Sequence, residues 1–160
     1  MIDNRDSSVK RTDNFNIYYK DVDSSCIYMI GHVAEKSLAL VQKDFNYGIE
    51  KKINIIVYTD YEEMAHKIGL GSTGSTAMGV YYGGIISILE PSKWIKDKGN
   101  IGEIFERQGP MVHELTHYIL DYMTCGNIPV WFTEGMALFE ENRVHGTEWA
   151  PGRLYESYYS

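Results

Sequence analysis

The chain has 160 residues, a formal net charge of −7 and an ordinary share of apolar and charged residues for a globular protein. A chain of this length can bury roughly 68–70% of the surface that its unfolded form exposes, which is enough for one conventional core. Because the balance is acidic and there is no Lys/Arg-rich run, nucleic-acid binding has no electrostatic support and we exclude it. Cys26 and Cys125 lie far apart and indicate two small buried thiols, not a disulfide framework or a thiolate metal site.

The N-terminal residues lack the apolar segment of a signal peptide, and no stretch approaches the roughly twenty apolar residues of a membrane span. Taken at face value, these features predict a cytoplasmic protein without a membrane segment. A cell-surface or secreted location stays open if the sequence has been trimmed of a leader or an anchor. The oligomeric state cannot be read from the sequence.

The first third of the chain predicts strands and one long helix. Residues 1–14 are polar and without periodicity, and we expect a flexible N-terminal arm ahead of a single domain over residues 15–160. Apolar residues alternate over residues 15–19, which predicts a first strand. They recur at spacings of three and four over residues 25–46, which predicts a helix against the core. The β-branched run at residues 51–58 is typical of a central strand.

The middle of the chain predicts a short helix and a hairpin. Residues 61–68 are predicted to form the helix. Residues 69–84 are rich in Gly, Ser and Thr. They lack the pattern of a phosphate-binding loop, so we interpret them as a flexible loop that leads into a strand. Residues 80–82 and 85–89, joined by two glycines, predict the hairpin, and residues 101–107 predict a helical turn or two.

Residues 110–123, PMVHELTHYILDYM, predict a helix with a chemically distinct face, beginning at a proline. His113 and His117 lie one turn apart, so both imidazoles can reach one metal ion. Glu114 is rotated by about 100° from them. There a general base would face a metal-activated water without occupying a coordination position. The opposite face is predicted to enter the core with Val112, Leu115, Ile119 and Met123.

A second helix follows after a short connection. It is predicted to open at Ile128-Pro129 and to extend to about Asn142, with Glu134 in its first turns. Two histidines and one carboxylate are a zinc ligand set that keeps a fourth position for water. The alternative is a helix with two incidental histidines. The helical position of the motif, its orientation away from the core and the downstream glutamate favour the metal site.

These two segments resemble the gluzincin zinc metallopeptidases, in particular their peptidase MA-like group. HELTHYILDY at residues 113–122 is similar to the active-site helix of thermolysin-like enzymes. WFTEGMALFEE at residues 131–141 is similar to the ligand-glutamate helix of the aminopeptidase branch. Elsewhere the similarity is only an order of elements. The resemblance implies an α+β zincin-like domain, in which a small twisted mixed sheet is packed with helices and the metal lies between the two motif helices.

Position by position, the resemblance implies one Zn²⁺ ion per chain, held by His113, His117 and Glu134, with Glu114 as the general base. Asp121 matches an aspartate of the thermolysin-like helix. Thr133 stands where those branches usually have asparagine before the ligand. Asp121 and Thr133 are candidates to support the ligands without binding the metal themselves. On composition alone, Asp121 is equally a solvated acid or a partner of the helix end.

Two further predictions concern the substrate. A peptide is expected to lie as an added strand on a sheet edge, with Gly79, Val80, Tyr81 and Tyr82 as the candidate edge strand. An oxyanion donor could come from His145, Tyr155 or Tyr158. The exopeptidase loop motif GxMEN is absent, which argues against an aminopeptidase.

The leading hypothesis is therefore zinc-dependent hydrolysis of peptide bonds in a peptide or protein substrate, as an endopeptidase, by a zinc-activated water. The alternative is a zinc-bearing domain that binds peptide or protein without turnover, with its cleft completed by a partner or a missing segment. It is favoured because the chain ends soon after the ligand helix, where relatives usually add a C-terminal helical subdomain. A purely structural zinc would leave Glu114 without a role beside an open coordination position.

Overall fold

The structure is a computed structural model that describes residues 7–69 and 77–146. Within these residues the chain forms five strands and five α-helices, and none of the helices is long and apolar enough to cross a membrane. The elements are β1 Ser8–Arg11, β2 Phe15–Tyr19, α1 Ser24–Phe45, β3 Ile53–Tyr58, α2 Tyr61–Lys67, β4 Gly79–Tyr82, β5 Ile85–Leu89, α3 Ile101–Gln108, α4 Met111–Thr124 and α5 Val130–His145. Short 3-10 helices cover Pro91–Lys93 and Lys98–Asn100.

The strands form one mixed sheet in the order β1-β2-β3-β5-β4. The central pairs β2/β3 and β3/β5 are parallel, and the outer pairs β1/β2 and β4/β5 are antiparallel. In β3 every second side chain is buried, beginning with Ile53 and Ile55, as the period of a half-buried strand requires. The predicted α+β class, with a small mixed sheet packed with helices, is confirmed in the described residues.

The long helix α1 supplies much of the core. It begins after Asp23, whose carboxylate accepts a hydrogen bond from the Ser25 N–H, and ends at Asn46 in the left-handed conformation. Its buried side chains face β2 and α4. The helix α4, which contains His113 and His117, contacts α1, β4 and α5. It therefore lies between the core, the sheet edge and the last helix.

The core face of α4 follows the predicted pattern with one exception. Val112, Leu115 and Ile119 are buried. Met123 was also expected there but is 42% exposed, since it lies in the last turn, beside the exposed cap at Cys125. The prediction of two buried thiols is likewise wrong for Cys125, which sits in an exposed left-handed turn, while Cys26 is partly buried.

The flexible arm expected over residues 1–14 is wrong for Ser8–Arg11, which form β1 on the sheet edge. Most side chains of this strand are exposed, so its sequence carries no apolar alternation to mark it. A charged edge strand of this kind also resists pairing with other chains. The last helix extends to His145, slightly beyond the predicted end near Asn142.

Candidate metal centre and active site

The edge strand β4 is packed directly against the start of α4. A Cβ atom on Gly79 would lie 2.6 Å from Cβ of Pro110, which is far inside a normal carbon–carbon contact. The backbone N–H of Tyr81 donates a 2.7 Å hydrogen bond to Oε2 of Glu114. The Tyr81 hydroxyl donates to a carboxylate oxygen of Asp121. Residues 79–82 are thus an edge strand, as predicted, and they lie beside the HELTH motif.

Two histidine nitrogens and one carboxylate converge between α4 and α5. Nε2 of His113 lies 3.4 Å from Oε2 of Glu134, and Nε2 of His117 lies 3.5 Å from Oε1 of the same residue. One ligand atom from each of the three residues can be chosen so that all lie within 4.8 Å of one another. Tetrahedral zinc, with bonds of about 2.0–2.2 Å, separates its ligand atoms by about 3.3–3.6 Å. Both the donor types and the spacing fit this metal.

A second contact orients each histidine ring. Nδ1 of His117 lies 2.7 Å from Oγ1 of Thr133, and Nδ1 of His113 lies 3.3 Å from Oε2 of Glu141. In both rings the contact to Nδ1 leaves Nε2 facing Glu134. Such contacts fix the tautomer and the ring orientation of metal-binding histidines. Thr133 therefore contacts the candidate ligand His117 on the ring nitrogen that faces away from Glu134, where the resemblance led us to expect support.

Glu141 is a site residue that our reading of the sequence missed. It follows Glu134 by seven residues, which is two helical turns, so both carboxylates project from the same face of α5. That spacing is visible in the segment WFTEGMALFEE and was a sufficient signal.

The general-base candidate is buried beside the cluster. Glu114 is 6% exposed, and burial raises the pKa of its carboxyl to about 7, against the opposing effects of His113 and the Tyr81 N–H. A carboxyl group in this range can exchange a proton near neutral pH. Glu114 therefore lies beside the cluster and has a pKa at which its carboxyl can exchange a proton near neutral pH.

The two histidines differ in their tendency to carry charge. Burial opposes protonation of His113, but its hydrogen bond to Glu141 and the surrounding carboxylates outweigh burial and raise its pKa. Burial and the neighbouring His113 lower the pKa of His117. Because a metal ion binds neutral imidazole, metal binding at this site releases any proton held by these rings.

These residues line an open cleft of about 320 Å³. The lining comes from the edge strand β4, from α4 with the HELTH side chains and Asp121, and from Ile128, Val130 and Thr133. The first turn of α5 is apolar and exposed, since Val130 and Trp131 are 72% and 76% accessible. The cleft lining thus includes a strand edge and the exposed apolar side chain of Val130.

The structure does not bring His145, one of the three predicted oxyanion donors, to this cleft. His145 is the last residue of α5, about 16 Å along the helix from Glu134 at 1.5 Å per residue. Its charged neighbours include Glu106 of α3, and it is absent from the residues that line the described cleft. Tyr155 and Tyr158 lie outside the described residues. Asp121 does line the cleft, where its carboxylate bonds Tyr81.

Comparison of the chain with models of protein families, with curated proteins and with solved structures found no match.

Proposed function

We propose that this chain is a zincin-like domain of the gluzincin type, which hydrolyses peptide bonds within peptide or protein substrates as a zinc-dependent endopeptidase. One observation carries the proposal. Two imidazole nitrogens and the Glu134 carboxylate converge at distances suited to zinc, while the buried carboxylate of Glu114 lies beside them. A ligand set of this kind keeps a coordination position open, which a structural zinc site does not.

The residues that would hold the ion are His113, His117 and Glu134, supported from behind by Thr133 and Glu141. A bound Zn²⁺ ion would polarise the scissile carbonyl and make water acidic enough to attack near neutral pH. Glu134 is exposed at the cleft, with half of its side-chain surface accessible, so the site can be entered from solvent.

Glu114 supplies the acid–base chemistry in this proposal. Its carboxylate takes a proton from the attacking water as the water oxygen bonds to the carbonyl carbon. It then delivers that proton to the leaving nitrogen as the carbon–nitrogen bond breaks. The raised pKa, caused mainly by burial, suits a group that must both accept and return a proton.

The outer edge of β4 is the proposed docking site for the substrate backbone. In the described residues β4 pairs with β5 on one side only, so the backbone groups of its other edge that do not bond Glu114 can accept an extended peptide. This edge borders the cleft that contains Glu114 and the histidines, so the docked peptide would pass the reacting groups.

A second candidate function is peptide or protein binding without turnover. It is favoured by the shortage of oxyanion donors in the described part of the cleft. The lining includes one tyrosine, Tyr81, whose hydroxyl is bound to Asp121, and the two histidines already belong to the metal cluster. A domain with this cleft would retain zinc and substrate affinity but lack part of the stabilisation that hydrolysis needs.

The two functions are separated by zinc stoichiometry and cleavage of an unstructured protein substrate, for the wild type and Glu114→Gln. The matched control is Glu103→Gln, because Glu103 lies on α3 with an exposed side chain. We expect one zinc per chain in all three proteins. Cleavage should be sensitive to chelators and should fall about 10²–10⁴-fold in Glu114→Gln alone. Zinc binding without cleavage would favour the binding domain, and a protein that binds no zinc would refute both.

A further inference from the structure

The backbone N–H of Tyr81 is directed at the proposed general base. In an antiparallel pair, successive residues send their N–H groups to opposite edges of the strand. The Tyr81 N–H donates at 2.7 Å to Oε2 of Glu114, which belongs to the helix on the open side of β4. An edge N–H that would otherwise be free to pair with an added strand is therefore engaged by the carboxylate.

The side chain of the same residue binds α4 at a second point. Its hydroxyl donates to Asp121, and its ring meets the buried ring of Tyr118 edge-on, with centroids 5.6 Å apart. Tyr118 is in turn stacked on Tyr122 at 4.7 Å. Asp121 follows Glu114 by seven residues, which is two turns of helix. Tyr81 thus spans two turns of α4 with its backbone at one end and its hydroxyl at the other.

A close packing contact completes the attachment of the strand. At Gly79 the backbone approaches Pro110 so closely that no side chain fits. This contact sets the separation of β4 from α4, and the Tyr81 hydroxyl prevents the strand from pivoting about it. Without the hydroxyl bond, the strand keeps its separation but loses the point that fixes its orientation.

We propose that Tyr81 and Asp121 form a positioning pair, which holds the edge strand so that the Tyr81 N–H fixes the Glu114 carboxylate for proton transfer. This role rests on the proposed hydrolytic function of Glu114. It assigns Asp121 to the strand and the base, whereas the sequence resemblance suggested support of the metal ligands. Neither residue touches the reacting atoms through its own side-chain oxygen, so both act through Glu114.

The test compares Tyr81→Phe, Asp121→Asn and the double variant with the wild type. Tyr28→Phe is the control, since Tyr28 lies on α1, is 62% exposed and keeps its ring in the variant. Amide hydrogen exchange of Tyr81 is measured by nuclear magnetic resonance on metal-free and zinc-loaded protein. The kcat and KM for an unstructured protein substrate and the zinc stoichiometry are measured on the same samples.

We expect exchange at residue 81 to be about tenfold faster in each single variant, since Tyr81→Phe removes the hydroxyl donor and Asp121→Asn replaces the charged acceptor by a weaker neutral one. We expect kcat to fall about tenfold, KM to change less than kcat, and the zinc stoichiometry to stay unchanged. The double variant should be no worse than Tyr81→Phe, because both substitutions act on the same bond. The Tyr28→Phe control should match the wild type in every measurement.

Failure of this inference and failure of the proposed function give different results. An active wild type whose kcat and residue-81 exchange are unchanged in Tyr81→Phe and Asp121→Asn would overturn the positioning pair alone. Equal losses of zinc would also overturn it, since they would assign the pair to the metal site. A zinc-loaded wild type that cleaves nothing would overturn the hydrolytic function and the positioning role with it.

Discussion

The contact between β4 and α4 makes Gly79→Ala a sharp test of the site geometry. The added Cβ would lie 2.6 Å from Cβ and 2.7 Å from Cγ of Pro110, and 3.3 Å from Cγ of Glu114. Carbon atoms prefer separations of about 3.5–4.0 Å, so the strand and the helix must move apart by about 1 Å. The proline ring cannot rotate out of the way, because it is fixed to the backbone.

Two effects contribute to the loss of stability that we expect for Gly79→Ala. Overpacking of this kind destabilises a protein by about 1–3 kcal/mol. A shift of about 1 Å also lengthens the 2.7 Å bond between the Tyr81 N–H and Glu114 beyond hydrogen-bonding distance. Since bonds to charged groups contribute about 1.5–3 kcal/mol, a partial loss brings the total to about 2–4 kcal/mol. That is a large share of the stability of a domain this size.

The assay is urea-induced unfolding followed by circular dichroism, with Gly48→Ala as the control. A Cβ atom on Gly48 meets nothing within 4 Å, so this variant should be unchanged or slightly stabilised. Gly79→Ala should show a clearly lower transition midpoint with a similar slope. Equal midpoints for the two variants would refute the close approach of β4 to α4.

Three further predictions concern support of the ligands and of the fold. Thr133→Val removes the hydroxyl beside His117, and Glu141→Gln removes the charge beside His113. Each should weaken zinc binding about 10–100-fold in competition with a chelating dye, and undiminished affinity would contradict the role given to that residue. Glu35→Gln should lower the free energy of unfolding by about 1–2 kcal/mol at pH 7, because donors from Thr12 and Asn14 contact the carboxylate. Burial opposes the charged form of Glu35, but these hydrogen bonds outweigh burial and lower the pKa of its carboxyl. The stability that they add is present above the unfolded pKa of about 4.3. It is lost as the pH falls through the depressed folded value. The difference from wild type should therefore shrink as the unfolding experiments are carried to lower pH, and a difference independent of pH would contradict it.

Local patterns were sufficient to predict most elements of the fold. The alternation in residues 15–19, the β-branched run in β3 and the paired glycines between β4 and β5 each matched the observed strand or turn. Patterns within a strand do not reveal its neighbours, so the order β1-β2-β3-β5-β4 could not be predicted. The strand β1 was missed because an edge strand with exposed side chains has no apolar periodicity.

The candidate site, like the fold, combines features that local sequence patterns predict with features that depend on tertiary packing. The spacing of His113 and His117 predicts their common face, because a helix fixes it locally. The bond from the Tyr81 N–H to Glu114 joins residues 33 positions apart and depends on how β4 packs against α4. No local pattern encodes that packing, apart from the glycine that permits it. Glu141 could have been found from its spacing to Glu134, whereas the position of His145 required the observed length and direction of α5.

We propose that His113, His117 and Glu134 together hold one zinc ion, and X-ray absorption at the zinc edge tests this on protein loaded with one equivalent of Zn²⁺. We expect a four-coordinate shell of nitrogen and oxygen only, with two imidazoles at about 2.0–2.1 Å, and its loss in Glu134→Ala. A sulfur ligand at about 2.3 Å, from Cys26 or Cys125, or a shell unchanged by Glu134→Ala would contradict it.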